Sequence, residues 1–306
     1  MPTIYPPVAE VWFLGLHLAE HGTGVRAAQA GGALLAVATT GTLLVVLPRE
    51  RRRRAALWGW FPGTAVWAVN DAHVDTLGAL LAVAGLTLAA RHRRTTAGWA
   101  LGAAAAAKLL PALVLPGALS GALARRPTRR DLLLPAVALG CFALAYLPYL
   151  ILSGRQVLGF LPAYLREEGY DDATVQRFGL LQPLLPDAAL APAAALVVLA
   201  AVVYVLRRGD PGRPWAGALL VYGTTLLALT PDYPWYGLLL VALVALDGRW
   251  EWLAVPAAGE AVYLLGGDVQ TPAYRAALAL VLAGAAVRRW VSWRGAAVTR
   301  AAVRAG

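Results

Sequence analysis

Apolar stretches follow one another along most of the chain and are separated by short polar turns and by clusters of arginine. A helix that crosses a bilayer needs roughly 20 consecutive, predominantly apolar residues. Four stretches have this character, at residues 26–47, 131–152, 187–206 and 214–230. The pattern therefore predicts an all-α protein whose helices cross a membrane several times.

Shorter apolar stretches occur in pairs, and each pair flanks a polar tip. Such pairs are typical of short hairpin or re-entrant helices that are buried within a membrane bundle. Together with the longer stretches they predict a polytopic bundle of about 11 membrane helices. The pairs are 55–69 with 74–90, 97–107 with 109–123, 215–230 with 236–246, and 251–266 with 273–287.

No soluble domain or linker interrupts this pattern, so residues 1–306 are predicted to form a single transmembrane domain. Residues 8–19 are too short to span and carry Glu10 and His17, which predicts a helix that lies along the external interface. The domain divides into that helix with its following turn, a core of helices, an external loop and the C-terminal helices, at residues 8–25, 26–152, 153–186 and 187–306.

The composition agrees with a membrane protein and excludes several other classes. Hydrophobic residues make up 59% of the chain and charged residues 14%, whereas about a quarter of the residues of an average soluble domain are charged. Cys141 is the single cysteine of the sequence, which excludes a disulfide within the chain and a cysteine-ligated metal cluster. The composition therefore argues against a water-soluble enzyme and against a secreted, disulfide-linked scaffold.

The charge distribution predicts the topology. The formal net charge is +10, but the basic residues are scattered between apolar blocks and form no docking face for nucleic acid. On one side of the predicted helices, 21 of the 27 basic residues occur with five acids, against six basic and eleven acidic residues on the other. Because basic loops stay cytoplasmic, the arginine-rich loops and the C-terminus are predicted to be cytoplasmic in the plasma membrane. The arginine clusters and His92 are interpreted as topology signals rather than sites.

The polar tip at residues 70–75 is the first candidate for chemistry. Asp71, His73 and Asp75 place two carboxylates and an imidazole within five residues, between apolar helices. Such groups can supply a general base and an orienting partner, so these three are the predicted catalytic residues. In the alternative interpretation, Asp71 or Asp75 only caps the helix over residues 74–90.

Lys108 is the second candidate, because it stands alone between two short apolar stretches. An ammonium group at that depth must be paired, hydrated or held for an anion. The phosphate or pyrophosphate of a lipid substrate is a suitable anion, so Lys108 is predicted to bind substrate. In the alternative interpretation, its side chain only extends toward the lipid headgroups.

Two external segments complete the candidate residues. Asp232, Tyr233, Trp235 and Tyr236 lie in a turn fixed by two prolines and are predicted to stack on a sugar or pack on an isoprenoid chain. Aromatic belts at membrane interfaces offer a simpler explanation. The loop at 153–186 is interpreted as a lid, an acceptor site or a solvated loop, and its Arg177 is predicted to bind substrate.

The same loop offers a weak metal signal. The adjacent acids Asp171 and Asp172 could hold a divalent ion, but two adjacent acids alone are not specific, so no metal and no cofactor are predicted. The polar residues of the loop are Arg155, Tyr164, Arg166, Glu167, Glu168, Tyr170, Asp171, Asp172 and Arg177.

Four short motifs carry a resemblance to a known group of enzymes. They are Ile-Tyr-Pro-Pro at 4–7, Ala-His-Val-Asp-Thr-Leu at 72–77, Lys-Leu-Leu-Pro at 108–111 and Tyr-Pro-Trp-Tyr at 233–236. In this order they resemble the GT-C superfamily of integral-membrane glycosyltransferases. Glycosyltransferase family 87 and the related polyprenol-phosphomannose-dependent mannosyltransferases of actinobacteria are the most similar members.

The resemblance implies an all-helical GT-C-type bundle with a cavity at the external face. It implies transfer of a sugar, expected to be mannose, from a polyprenyl-phosphate donor to a lipid-linked or cell-envelope glycan acceptor. Tyr5 and Glu10 are then expected to contact substrate as well. The superfamily carries its catalytic carboxylate on an external loop upstream of the turn at 4–7, after a first membrane helix, so that helix and its aspartate are expected to precede Met1.

Two other functions remain open at this point. A lipid or solute transporter would be expected to show internal repeats and broken helices that meet at the membrane midplane, whereas the polar residues of this chain stand at helix tips. A catalytically inactive membrane scaffold is the second alternative, because the expected upstream aspartate is not in the sequence.

Overall fold

The computed structural model describes residues 3–19, 24–124, 128–154, 163 and 177–305. All regular secondary structure in these ranges is helical, which confirms the predicted all-α class. The α-helices of the described ranges are α1 (Pro7–Ala19), α2 (Val25–Val46), α3 (Ala55–Gly59), α4 (Asp75–Ala90), α5 (Arg94–Ala107), α6 (Leu115–Ala118), α7 (Arg129–Ser153), α8 (Asp187–Arg208), α9 (Pro214–Leu229), α10 (Gly237–Asp247), α11 (Ala254–Leu265) and α12 (Gln270–Ala305).

Short helices of other types occur at the ends of several of these elements. A π-helix precedes the first polar tip, and short 3-10 helices occur next to arginine clusters and prolines. The π-helix is Thr64–Asn70, and the 3-10 helices are Arg49–Arg54, Leu110–Val114, Pro234–Tyr236, Trp250–Leu253 and Gly267–Val269.

Four helices of the described chain are long and apolar enough to cross a membrane: Val25–Val46, Asp131–Ser153, Asp187–Arg208 and Gly267–Arg294. A fifth crossing is possible if the π-helix and α4, which meet at an angle of 109°, count as one broken span. The predicted number of about 11 membrane helices is not confirmed. Several predicted members are helices of fewer than 18 residues, which are too short to cross a bilayer alone.

The core surrounds α10, in which every residue from Gly237 to Asp247 is buried. This helix is apolar on all sides, and such a helix is stable only when neighbours cover it completely. On the outside of the bundle, α7 packs closely on α5 because Gly98 and Gly102 are four residues apart. A Cβ atom at either position would collide with the α7 backbone, at Leu134 and Ala138 respectively. Small residues at this spacing let membrane helices approach each other.

Buried ion pairs fix the arginine-rich end of the bundle. The Asp247 carboxylate is fully buried and accepts hydrogen bonds from Arg249 and, at 2.9 Å, from Arg213. Arg54 donates to the Asp247 backbone carbonyl, also at 2.9 Å. A buried carboxylate is tolerated when it is paired and hydrogen-bonded in this way. These contacts hold the end of α10 against two loops, and the polar tips lie at the other end of α10.

Candidate functional site

The first polar tip is held in place by its own backbone. The Asp71 amide donates to the Val66 carbonyl at 2.9 Å, and the His73 amide donates to the Trp67 carbonyl at 2.8 Å. The following helix, α4, begins at Asp75 without a side-chain cap. The alternative in which an aspartate only caps this helix is therefore wrong for Asp75, whose carboxylate bonds to another part of the chain.

That partner is Lys108, whose Nζ lies 3.1 Å from Asp75 Oδ2. Lys108 ends α5 in an extended conformation, so its side chain leaves the helix and reaches α4. The Asp75 and Lys108 side chains are 7% and 18% exposed, which makes the pair largely buried. Tyr5 and Tyr236 each place a ring centroid 5.5 Å from Nζ, within the range of a cation–π interaction. Three motifs that are far apart in the sequence thus meet at one ammonium group.

An aromatic cluster lies next to this ion pair. The His73 ring stacks on Trp235, with centroids 4.0 Å apart and planes 16° apart. Tyr233 also stacks on Trp235, at 4.6 Å. Trp67 meets Trp235 edge to face at 5.9 Å. These contacts join the tip at 70–75 to the turn at 230–236, so the structure brings together two segments that the sequence placed on one side of the membrane.

The turn at 230–236 is anchored by side chains that the sequence did not single out. Tyr222 donates its hydroxyl to the Tyr236 carbonyl at 2.9 Å, and Tyr274 donates to the Pro231 carbonyl at 2.7 Å. Gln270 donates to the Thr230 carbonyl at 2.6 Å and to Asp232. Nothing in the local pattern distinguishes these residues from ordinary helix positions, because their partners come from other helices.

The remaining predicted residues lie at varied distances from the ion pair. Asp71 is exposed and accepts a hydrogen bond from Asn70 at 2.7 Å. Glu10 accepts one from Thr3 at 2.8 Å and does not bond to Lys108. Arg177 is half-buried. The backbone amides of the next two residues donate hydrogen bonds to the Leu229 carbonyl and the Thr230 hydroxyl, at the start of the turn at 230–236. The structure thus places Arg177 close to this turn and gives Glu10 a local partner.

The electrostatics of the first tip centre on His73, which stands in the break between the π-helix and α4, outside both helices. Burial lowers the pKa of His73 below its usual value, and the Lys108 charge adds to this effect. The carboxylates of Asp75 and Asp71 oppose it. The imidazole is therefore favoured in its neutral form, in which one ring nitrogen can accept a proton or a hydrogen bond.

A family model for glycosyltransferase family 87 matches residues 3–231, well over half of the chain. The chain belongs to glycosyltransferase family 87. No curated protein and no solved structure gives a match. Membership confirms the predicted resemblance to family 87 and identifies the chain as a membrane glycosyltransferase.

The family 87 match covers most of the site described above. It includes Tyr5, Asp75 and Lys108 and ends at Pro231. The aromatic turn at 233–236 lies just beyond the matched range. Its rings nevertheless contact residues within that range, since Trp235 stacks on His73 and Tyr236 lies next to Lys108. The candidate site therefore includes residues on both sides of the end of the matched range.

One further contact beside the aromatic cluster was not predicted from the sequence. Trp67 donates its indole N–H to a Glu260 carboxylate oxygen at 2.6 Å, and Tyr263 lies 4.8 Å from the Trp67 ring, edge to face. The structure thus gives the Glu260 carboxylate a polar partner, the Trp67 indole. A single acid in an apolar stretch was the available signal, but it gave no information about the partner.

An apolar groove lies between the first two helices of the chain. It is a cavity of about 550 Å³ between α1 and α2. Its lining residues are Val8, Val11, Trp12, Gly15, Leu16, Ala19, Ala27, Ala30, Gly31 and Leu34. A groove with this lining suits a hydrocarbon chain rather than a sugar.

Among the described residues, no group of three or more histidine, cysteine or acidic side chains could hold a metal ion. The loop residues Arg155, Tyr164, Arg166, Glu167, Glu168, Tyr170, Asp171 and Asp172 lie outside the described ranges.

Proposed function

We propose that this family 87 protein transfers mannose from a polyprenyl-phosphate donor to a lipid-linked or cell-envelope glycan acceptor. One observation carries the proposal: the Lys108 ammonium group, 3.1 Å from Asp75, is flanked by the rings of Tyr5 and Tyr236. A cation held in this way at a helix tip is suited to an anionic group of a membrane-borne substrate.

Lys108 binds the donor phosphate in this proposal. The donor bond to the sugar breaks with its electron pair remaining on the phosphate oxygen, so negative charge accumulates on the phosphate in the transition state. A fixed cation stabilises that charge. Asp75 is a positioning residue, because its carboxylate is already bonded to Lys108 and holds the ammonium group in place.

The acceptor side of the reaction requires a base. The acceptor hydroxyl oxygen forms a bond to the anomeric carbon, and its proton passes to a carboxylate or an imidazole. We assign this role to Asp71, in place of the carboxylate that the resemblance puts upstream of the turn at 4–7. Asp71 is exposed and accepts a hydrogen bond from Asn70. His73 lies between Asp71 and Asp75 in the sequence and interacts electrostatically with both carboxylates. As a neutral hydrogen-bonding group, it orients the acceptor.

The groove between α1 and α2 supports the lipid nature of the donor. It begins at Val8, three residues after Tyr5, and contains only apolar side chains and glycines. The isoprenoid chain lies in this groove while its phosphate contacts Lys108. The sugar and the acceptor then lie on the side of the aromatic cluster, where Glu10, Arg177, Asp232, Tyr233, Trp235 and Tyr236 contribute the remaining contacts. This face is external, and the arginine-rich end is cytoplasmic.

The test is a transfer assay in liposomes with radiolabelled polyprenyl-phosphate mannose and an acceptor glycolipid. Transfer by the wild-type chain, lost in Lys108→Ala and partly retained in Lys108→Arg, is the expected result. Equal transfer by wild type and Lys108→Ala would remove Lys108 from the mechanism. Movement of the unchanged donor lipid across the liposome, without sugar transfer, would indicate a transporter instead.

A further inference from the structure

A cleft at the arginine-rich end of the molecule has no place in the proposed reaction. It lies between the turn that joins α4 to α5 and the first turns of α7, and its volume is about 670 Å³. Its lining residues are His92, Arg93, Arg94, Thr95, Thr96 and Leu133. The described lining is thus basic and hydroxylated, with one apolar side chain, and includes no carboxylate.

Backbone and side-chain contacts give this cleft a defined shape. His92 has a left-handed backbone, with φ of 57°, and donates its amide to the Ala89 carbonyl at 2.9 Å. The Arg93 amide donates to the Leu88 carbonyl at 3.0 Å. On the opposite side, Arg94 Nη2 lies 3.1 Å from the buried Asp131 carboxylate, which joins the start of α5 to the start of α7.

Asp131 is already used by the protein. The same carboxylate accepts two hydrogen bonds from Thr128, from its amide and its hydroxyl, both at 2.8 Å. The carboxylate that fixes Arg94 therefore belongs to the cap of α7. Arg93 serves as the N-cap residue of α5 and supplies no side-chain cap. Arg93, His92 and Thr95 all line the cleft. This lining suits an oxyanion, because guanidinium groups match phosphate geometry.

The other half of the cleft is apolar and continues along a membrane helix. Leu133 lines the cleft and is 44% exposed, and Leu132 beside it is 63% exposed. Their helix, α7, contains a candidate membrane span of which 11% is buried within the protein. Trp99, five residues beyond Arg94 on α5, is exposed and matches the tryptophans that occur at membrane interfaces. The basic residues of the cleft are therefore next to exposed apolar side chains.

We propose that this cleft binds the phosphate headgroup of an anionic phospholipid, with the acyl chains along the exposed face of α7. Free phosphate would use the cationic half only, whereas a phospholipid uses both halves. Basic pockets between membrane helices are a known setting for anionic lipid headgroups. The site is separate from the ion pair of Asp75 and Lys108, which lies at the other end of α4 and α5, so it does not depend on the proposed sugar transfer.

The experiment measures lipid binding to the full chain, purified in a neutral detergent, by native mass spectrometry and thermal unfolding. Phosphatidylglycerol is compared with phosphatidylcholine that has the same acyl chains. The test variant is Arg93→Ala and its matched control is Arg91→Ala, which removes the same charge from the same turn at a position outside the cleft lining. Arg93→Lys serves as the variant that keeps the charge.

Wild type and Arg91→Ala are expected to bind phosphatidylglycerol at least tenfold more tightly than phosphatidylcholine. In Arg93→Ala this preference should fall about tenfold or more, as expected for loss of a charged hydrogen bond. Arg93→Lys should retain part of it, which separates binding from misfolding. An equal loss of this preference in Arg93→Ala and Arg91→Ala would show that the lipid responds to general surface charge and not to the cleft. Equal protection by millimolar inorganic phosphate, with no added effect of phosphatidylglycerol, would assign the cleft to a free anion. Both results overturn the proposal.

Discussion

Lys108 and Asp75 are 33 residues apart in the sequence, and their side chains form an ion pair of 3.1 Å between the end of α5 and the start of α4. A charge at the end of an apolar stretch therefore has a specific partner and does not simply extend toward lipid headgroups. The rings of Tyr5 and Tyr236 lie at equal distances from the same ammonium group. The consequence is a site in which one cation connects four segments of the chain.

Removal of the Lys108 charge should weaken donor binding. A charged hydrogen bond contributes about 1.5–3 kcal/mol, so Lys108→Ala should raise the Kd for polyprenyl-phosphate mannose about tenfold to hundredfold. Lys108→Arg should lose less because the charge remains. Binding is measured by isothermal titration in detergent. Arg91→Ala is a control for charge, and a similar loss in that variant would show that only net charge matters.

Asp75 and Asp71 should differ in what their loss affects. Asp75→Asn leaves Lys108 buried without its carboxylate and should lower the free energy of unfolding by about 3 kcal/mol. Asp71→Asn changes an exposed side chain and should alter it by less than about 0.5 kcal/mol, while transfer activity falls sharply because the base is lost. Chemical unfolding and the transfer assay separate the two effects. A stable and fully active Asp71→Asn protein would exclude Asp71 as the base.

The His73 environment predicts a pH effect on stability. Because burial lowers the pKa of His73 in the folded protein, the unfolded chain binds a proton there more readily. The neutral imidazole thus contributes stability above its unfolded pKa of about 6.5, and this contribution is lost as the pH falls below that value. Between pH 7.5 and 5 the wild type should lose more stability than His73→Gln. Parallel losses in the two proteins would contradict this prediction.

Trp235 should be structurally important, since both His73 and Tyr233 stack on it. Trp235→Ala should cost about 3 kcal/mol of stability, at the lower end of the range for large aromatic truncations in protein interiors. Trp60, which is 87% exposed, is the matched control, and Trp60→Ala should change stability by less than about 0.5 kcal/mol. Thermal unfolding in detergent measures both. A negligible effect of Trp235→Ala would mean that this ring does not hold the tip at 70–75 against the turn at 230–236.

The topology can be tested with reporter fusions. Fusions at Arg53, Arg94 and Arg213 should report the cytoplasm, and fusions next to His73 and Asp232 should report the outside, because basic loops stay cytoplasmic. A cytoplasmic signal at residues 70–75 would reverse the orientation of the whole molecule.

The sequence predicted the helical class and three of the four long helices closely, because a span of about 20 apolar residues leaves few alternatives in a membrane. It also predicted the polar tips, since prolines and charges stand out in an apolar chain. The number of membrane helices was not predictable from hydropathy. Periodicity cannot distinguish a short helix buried inside the bundle from a crossing helix, and the prediction counted α9, α10 and α11 as full members.

The connections between tips were not available from the sequence either. That Lys108 meets Asp75, and that Trp67 meets Glu260, follows from the packing of α4, α5 and α11. The turn at 230–236 is held by a hydrogen bond from Gln270, and no local feature of the sequence marks Gln270 for this role. Long-range contacts of this kind require the fold, because each partner alone looks like an ordinary polar residue near a helix end.

The buried helix α10 limits the distance between two charged regions of this protein. Its 11 residues extend over about 16 Å, since an α-helix rises roughly 1.5 Å per residue, and any tilt shortens that distance along the membrane normal. At one end lies the Asp247 carboxylate with its arginines, and at the other end lies the Tyr236 turn beside Lys108. The hydrocarbon layer is about 30 Å thick. Two charged regions so close together cannot both stand at the membrane surfaces, so at least one is recessed into the hydrocarbon layer, where a lipid-linked substrate can reach it without leaving the bilayer.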